Sequence, residues 1–340
     1  MSARQASLLF VIGSDQLAGT TADGRPKFAG CTDLHRMFDR REPVHILQLD
    51  RHTLRQRRRP ELHPYHTILN LITDPDQNPK TLENLRKLLR EYSGPVINAP
   101  DAVMRSTRDQ VAKLLDGTPG LIAPKTIRVR NAKPDLVAGA IERAEMRFPL
   151  IVRLAGTHTG IIVGLFDGID DVRAAITQPG EHVVTEFVDF RSEDGIYRKY
   201  RAFFIGDRII FRHMLTSDRW SIHASDRNRF MIDKPNLLKE ESLLFERTEG
   251  AFPKAVIETL EAVRKRMPLD YFGMDFGIAV DGKVVLFEAN ATMNFFPFLP
   301  DPRLDHVRKC LKPATEAFHA ILGRSRHGLT GSDEQMEAVR

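Results

Sequence analysis

Met274-Asp-Phe-Gly-Ile-Ala-Val280, then Asp281-Gly282, then Lys283-Val-Val-Leu-Phe-Glu-Ala-Asn290 is the stretch that decides the fold. Asp-Gly between two alternating apolar runs is a strong signal for a β-hairpin closed by a two-residue turn. With Val280 opposite Lys283, counting back sets Asp275 across from Glu288, with Asn290 two residues further along the same face. Met274, Phe276, Ile278, Val285, Phe287 and Ala289 then form one apolar face for a core. Directly opposed carboxylates weaken a sheet. A hard cation between them removes the repulsion, and Mg²⁺ takes carboxylate and amide oxygens. Asp275, Glu288 and Asn290 are therefore candidate metal ligands, for Mg²⁺ or for Mn²⁺ on the same oxygen set.

A second hairpin is the electrostatic complement of the first. Lys199–Ile205 and Arg208–Met214 flank Gly206-Asp207, and the same count sets Arg201 opposite Arg212. Opposed arginines are stabilised when an anion such as a phosphate lies over them. One hairpin suits a divalent metal and the other a phosphate, so together they suggest a metal–nucleotide site.

A chain of 340 residues is long enough for a large core and two or three subdomains. Its composition is that of an ordinary soluble globular protein, which argues against disordered and fibrous classes. The net charge of +5 comes partly from Arg51, Arg55, Arg57, Arg58 and Arg59. Few aromatics interleave with them, so a solvated loop is expected there rather than a nucleic-acid surface. Cys31 and Cys310 are far apart and make no metal spacing, which suggests reduced thiols and a cytoplasmic protein. Leu8–Ile12 is too short for a signal-peptide core, and no run is long enough to cross a membrane. No nucleic-acid or membrane partner is expected; a homo-oligomer is left open. His63 and His66 straddle Pro64, which breaks helical ligand spacing, and they are not read as a metal pair.

The N-terminal part alternates strands with a helix. Leu8–Ile12, Val44–Leu49, Thr67–Leu71 and Val96–Asn98 read as strands, and Thr81–Tyr92 as a helix capped by Thr81. Asp101–Leu115 reads as one helix, and Asp135–Arg147 as another. Between the strands Leu150–Leu154 and Ile161–Leu165 lies the small-residue loop Ala155–Gly160, whose exposed backbone N–H groups suit a flap over a polyphosphate. Val183–Phe187 is a further strand, and Ala251–Met267 a long amphipathic helix. Residues after Leu322 read as a loose tail.

The series Asn98-Ala-Pro-Asp-Ala-Val, Pro124-Lys-Thr, Phe148-Pro-Leu-Ile-Val-Arg-Leu, Ala155-Gly-Thr-His-Thr-Gly, Thr185-Glu-Phe-Val-Asp and Met274-Asp-Phe…Leu286-Phe-Glu-Ala-Asn resembles the ATP-grasp superfamily. Within it, the resemblance is to the group of glutathione synthetase, the ribosomal-protein glutamate ligase and D-alanine–D-alanine ligase. It implies an α/β fold: an N-terminal α/β domain (1–98), a central lobe carrying the phosphate flap (99–188), and a C-terminal lobe with the metal site (189–325), before the tail 326–340. The two α+β lobes would enclose Mg-ATP. Carried over by this resemblance, Arg153, Gly156, Thr157, His158, Thr159 and Gly160 would meet the phosphates. Glu186, Phe187 and Val188 would border the adenine, Asp189 would hold the ribose, and Arg201 and Arg212 would steady the transferred phosphoryl group. Two positions depart from the family's pattern: Gln110 and Arg153 stand where lysines are usual.

The activity so implied is ATP-dependent ligation of a carboxylate to an amine through an acyl phosphate. The substrate would be an amino acid, a peptide or another small carboxylate. A kinase of the same fold, or a catalytically weak nucleotide-binding module, fits the same residues.

Overall fold

The computed structural model describes residues 7–20, 26–38, 44–50, 52, 60–156, 162–177, 180–246 and 252–323. Thr157, His158, Thr159 and Gly160 of the expected flap lie outside the described residues, as do the arginines of 51–59 and the tail.

The N-terminal sheet is parallel. Its strands are β1 (Ser7–Ser14), β4 (Val44–Asp50), β5 (Tyr65–Asn70) and β6 (Val96–Ile97), in the order β4-β1-β5-β6. A small ribbon of β2 (Leu17–Thr20) and β3 (Pro26–Phe28) follows β1. The helix α1 (Pro79–Leu88) begins two residues before the expected Thr81. Its cap comes from outside the helix: the Asp15 carboxylate accepts from the Lys80 and Thr81 N–H groups at 3.1 and 2.7 Å. A carboxylate over the first-turn N–H groups satisfies donors that have no partner within the helix.

The expected helix Asp101–Leu115 is two helices, α2 (Pro100–Met104) and α3 (Arg108–Leu115). Ser106 folds its hydroxyl back onto the Val103 carbonyl at 2.7 Å, and Thr107 is extended. Local side-chain bonds of this kind compete with the helix and end it. The break makes Arg108 the first residue of a new helix. A short strand β7 (Leu121–Ile122) follows.

The second sheet is antiparallel, with strands β8 (Thr126–Ala132), β9 (Leu150–Leu154), β10 (Ile162–Phe166) and β11 (Gly180–Glu186) in the order β10-β9-β11-β8. Helices α4 (Pro134–Arg143) and α5 (Ile169–Ala175) cover one face, where Val137, Ile141, Val152, Val172 and Val184 form a small core. The third sheet holds β12 (Tyr197–Ile205), β13 (Arg208–Ser217), β14 (Tyr271–Ile278) and β15 (Val284–Asn290), and β7 joins its edge beside β15. Helix α6 (Pro235–Glu246) precedes α7 (Lys254–Arg266), which buries Val256, Leu260 and Val263 against Phe204, Phe272, Met274 and Phe276.

Asn98 joins the N-terminal sheet to the third sheet. Its side chain accepts from the Asp270 and Tyr271 N–H groups at 2.9 and 3.0 Å and donates to the Tyr271 carbonyl at 2.8 Å. Its backbone sits at φ 53°, a left-handed conformation that asparagine tolerates better than most residues. Asn98→Ala is expected to cost about 2–4 kcal/mol, since it takes the partner from a buried N–H group, a partly buried one and a buried carbonyl. Urea unfolding of the two proteins checks this, and a loss below the error of the fit would show that the joint is not holding the sheets together.

Candidate functional site

Asp275 does lie opposite Glu288, but the path to that register differs from the simple hairpin. The loop has three residues, Val280 to Gly282: Ala279 and Lys283 close it, and Gly282 lies at φ +82°. That extra residue would move Asp275 onto Phe287. A β-bulge between Asp275 and Phe276 takes up the slip, because Phe276 pairs with Leu286 and Phe287 is the extra residue. The bulge also divides the expected apolar face. Val284 and Leu286 join Met274 and Phe276 in the core, whereas Val285 and Phe287 turn to the other side with Phe190 and Tyr197.

The arginine hairpin is corrected in a similar way. Arg201 pairs with His213, not Arg212, because a bulge falls between Arg201 and Ala202. Arg212, 6% exposed, donates to the Phe295 and Pro297 carbonyls at 2.9 and 3.1 Å and lies 4.0 Å over the Phe298 ring. It thus braces the loop after β15 and does not line the cleft described next. Burial, then the charges of Arg201, Arg212, Arg227 and Lys199, push His213 well below the usual histidine value and keep its imidazole neutral.

The second and third sheets enclose a cavity of about 520 Å³. At one end Ile151, Phe187, Val188, Phe190, Trp220 and Ile222 make an apolar slot; Trp220 meets Phe187 edge to face at 5.6 Å. At the other end stand Arg108, Arg153, Lys199 and Arg201 with Asp275 and Glu288. The alternation of β9 sends Ile151 and Arg153 into the cavity while Leu150 and Val152 fill the core behind.

Every acid at the charged end has a cationic partner. Arg201 binds Asp275 through two parallel bonds of 2.5 and 2.7 Å, with the Lys199 ammonium 3.7 Å away. Arg108 reaches Glu288 at 2.7 Å and gives its other arm to the Phe287 carbonyl at 2.5 Å. Burial alone would raise the Asp275 pKa, but Arg201, Lys199 and Arg108 hold it below the usual aspartate value. Burial likewise lowers Lys199, with the Asp275 carboxylate opposing it, and burial with the Arg108 charge brings Arg153 down to about 9, so Arg153 remains a cation at neutral pH.

Asp275 and Glu288 are oxygen donors of the type a hard divalent cation takes, and both face the cavity. Asn290 is held differently. Its side-chain oxygen accepts from the Thr292 and Met293 N–H groups at 2.9 and 3.0 Å, and its amide nitrogen donates to Glu288 at 2.6 Å. Its oxygen lone pairs are committed to the turn, so the residues that fit a metal are the two carboxylates.

Glu186, Phe187 and Val188 line the cavity, and the Glu186 carboxylate is held by Arg147 through backbone and side chain at 2.9 and 3.2 Å. Asp189 instead accepts from Arg191 at 2.9 and 3.1 Å and is not among the lining residues. Gly156 borders a smaller neighbouring hollow with Arg108, Arg153 and Glu288. Two charged residues of the cavity, Arg108 and Lys199, are not marked as site residues by the sequence motifs. Gln110, where a lysine was expected, turns its amide to the Met104 and Arg105 carbonyls, and the charge at this end comes from Arg108 two residues earlier. Strand alternation places Lys199 on the same face as Arg201, a signal the sequence did hold.

A cavity gripped between an antiparallel sheet and a hairpin sheet, beside a parallel N-terminal sheet, is the arrangement of the ATP-grasp fold, and this chain has that fold. No family model and no curated protein matches it. Among solved structures it is similar to the RiPP-associated ATP-grasp ligase of Chryseobacterium gregarium, determined with ADP and a leader and core peptide. The two share 12% identity over 94% of this chain and 97% of that one, with a TM-score of 0.50. It is also similar to D-alanyl-alanine synthetase A of Vibrio cholerae, at 11% identity, 92% and 99% coverage and a TM-score of 0.49. A RimK domain ATP-grasp protein of Sphaerobacter thermophilus gives 14%, 90% and 98%, and 0.47. At such identities the likeness is one of fold. Among the described residues no helix is long and apolar enough to cross a membrane.

The Asp275 pair has a pH signature. The folded pKa lies below the usual 3.8, so its stabilisation is complete above about pH 4 and is lost as pH falls through the lowered folded value. Asp275→Asn is expected to flatten the acid limb of the stability–pH curve below about pH 4. An unchanged slope in urea titrations at pH 2.5–5 would remove Asp275 from the acid response.

Proposed function

We propose that the protein is an ATP-dependent carboxylate–amine ligase. The observation that carries this reading is the division of the 520 Å³ cavity into an apolar slot and a cation-rich end. Its size is within the roughly 300–1,000 Å³ typical of small-molecule sites. A purine would lie against the apolar wall of Phe187, Val188 and Trp220, and a polyphosphate suits Arg108, Arg153, Lys199 and Arg201. Asp189, next in sequence to the lining residue Val188, would serve as the ribose partner on release from Arg191, and the segment Ala155–Gly160 as the flap.

In the proposed reaction a substrate carboxylate oxygen attacks the γ-phosphorus, the bond to the β-phosphate oxygen breaks, and ADP leaves an acyl phosphate. A neutral amine then attacks the acyl carbon, inorganic phosphate departs, and an amide forms as the amine loses its proton. Transfer of this kind depends on alignment and charge neutralisation more than on covalent help from the protein. Asp275 and Glu288 would hold Mg²⁺, which when bound supplies further neutralisation at the phosphate oxygens. The four cations orient the chain of phosphates and offset charge that builds up on the leaving group. Amino acids, peptides and other small carboxylates are the proposed acceptors.

ADP release measured against a panel of carboxylates and amines tests the reading. A ligase requires one of each. Release with a hydroxyl acceptor alone would make the protein a kinase. No release under any pairing, with a raised melting temperature in Mg-ATP, would make it a nucleotide-binding module.

A further inference from the structure

The acids that would carry a metal are already neutralised by guanidinium groups, and those groups are the ones best placed for phosphate. Asp275 is chelated by Arg201, and Glu288 is bound by Arg108, which is anchored on the bulged carbonyl of Phe287. A divalent ion that enters alone has to displace two charge-assisted contacts and leaves two guanidinium groups without an anion in a partly desolvated cleft. Leaving a buried charge unpaired is costly. The charge balance points the same way. Arg108, Arg153, Lys199 and Arg201 face Asp275 and Glu288, a surplus of two positive charges, while the nearby Glu186 is held by Arg147. A metal ion alone enlarges that surplus. A triphosphate carrying one divalent ion, about −2 in all, cancels it.

We propose that Arg108 and Arg201 are exchangeable counter-ions, which hold Glu288 and Asp275 until a nucleotide arrives and then pass to its phosphates as the carboxylates take the metal. Metal and nucleotide therefore enter together, and the resident arginines exclude the metal by itself. This rests on the nucleotide part of the proposed function and goes beyond it, because it makes Arg108 and Arg201 gatekeepers of the metal as well as phosphate ligands. The handover suits bidentate arginine, whose planar fork fits carboxylate and phosphate alike.

The test follows Mn²⁺ by electron paramagnetic resonance, with and without a non-hydrolysable ATP analogue, in the wild-type protein and in Arg108→Gln, Arg108→Lys and Arg201→Gln. Circular dichroism and thermal unfolding confirm that each variant is folded; Arg108→Gln is the milder one, since the Asn290 amide still donates to Glu288 at 2.6 Å. Wild-type protein is expected to bind Mn²⁺ weakly alone and tightly with the analogue. Arg108→Gln is expected to bind Mn²⁺ alone at least about tenfold more tightly and the analogue at least about tenfold more weakly. Arg108→Lys, which keeps the charge, should leave Mn²⁺ alone excluded. Opposite signs for the two ligands are the signature, because a merely structural lesion would weaken both. Tight Mn²⁺ binding by nucleotide-free wild type overturns the proposal and leaves the ligase reading standing. Equal losses in both affinities, or no Mn²⁺ uptake by any variant, also overturn it. A wild-type protein that binds no analogue overturns both.

Discussion

Two carboxylates on neighbouring strands cannot face each other inside a cleft without cations to balance them, and the architecture around Asp275 and Glu288 follows from that constraint. The register of β14 against β15 sets them face to face. Arg201 meets one acid from the adjacent strand and Arg108 meets the other from a helix outside the sheet. Removing either arginine would take the closest counter-charge from an acid in a partly desolvated place, which costs more than a surface ion pair is worth. The charged end of the cavity is thus a set of mutual obligations rather than a collection of separate ligands.

Two local irregularities make this arrangement reachable. The bulge at Phe287 restores the register that a three-residue loop would have shifted, and leaves a carbonyl on which Arg108 can dock. The interruption at Ser106 and Thr107 starts a new helix at Arg108 and directs its side chain at that carbonyl. An unbroken helix over Asp101–Leu115 would place Arg108 by the phase of the preceding turns instead. Both features depart from regular secondary structure, and both fall beside the cleft, where bulges and helix breaks commonly re-aim side chains.

Legibility in the sequence followed the range of the interactions. The pairing of Asp275 with Glu288 is readable because two irregularities cancel: a loop one residue longer than the Asp-Gly turn signal implies and a bulge one residue wide. The pairing of Arg201 with Arg212 was not, because a bulge there was not cancelled by the turn. Nothing in Arg208–Met214 marks which residue will be extra; contacts of Arg212 with the carbonyls of Phe295 and Pro297, more than eighty positions away, stabilise that choice. Asn290 illustrates a different limit. Its place on the strand was right, yet the turn of Thr292 and Met293 that occupies its oxygen belongs to the folded backbone.

By itself the sequence determined the layer types, the strand that carries the acids, the apolar strand that borders the cavity and the cationic strand facing it. Those depend on alternation and on turn chemistry, which act over a few residues. Only the tertiary structure decided which cation serves which acid, that Arg108 rather than residue 110 supplies charge in the cavity, and that Arg212 braces a loop. These choices depend on distances between segments far apart in the chain, and the favourable energy of an ion pair exists only once folding has brought its two groups within a few ångströms.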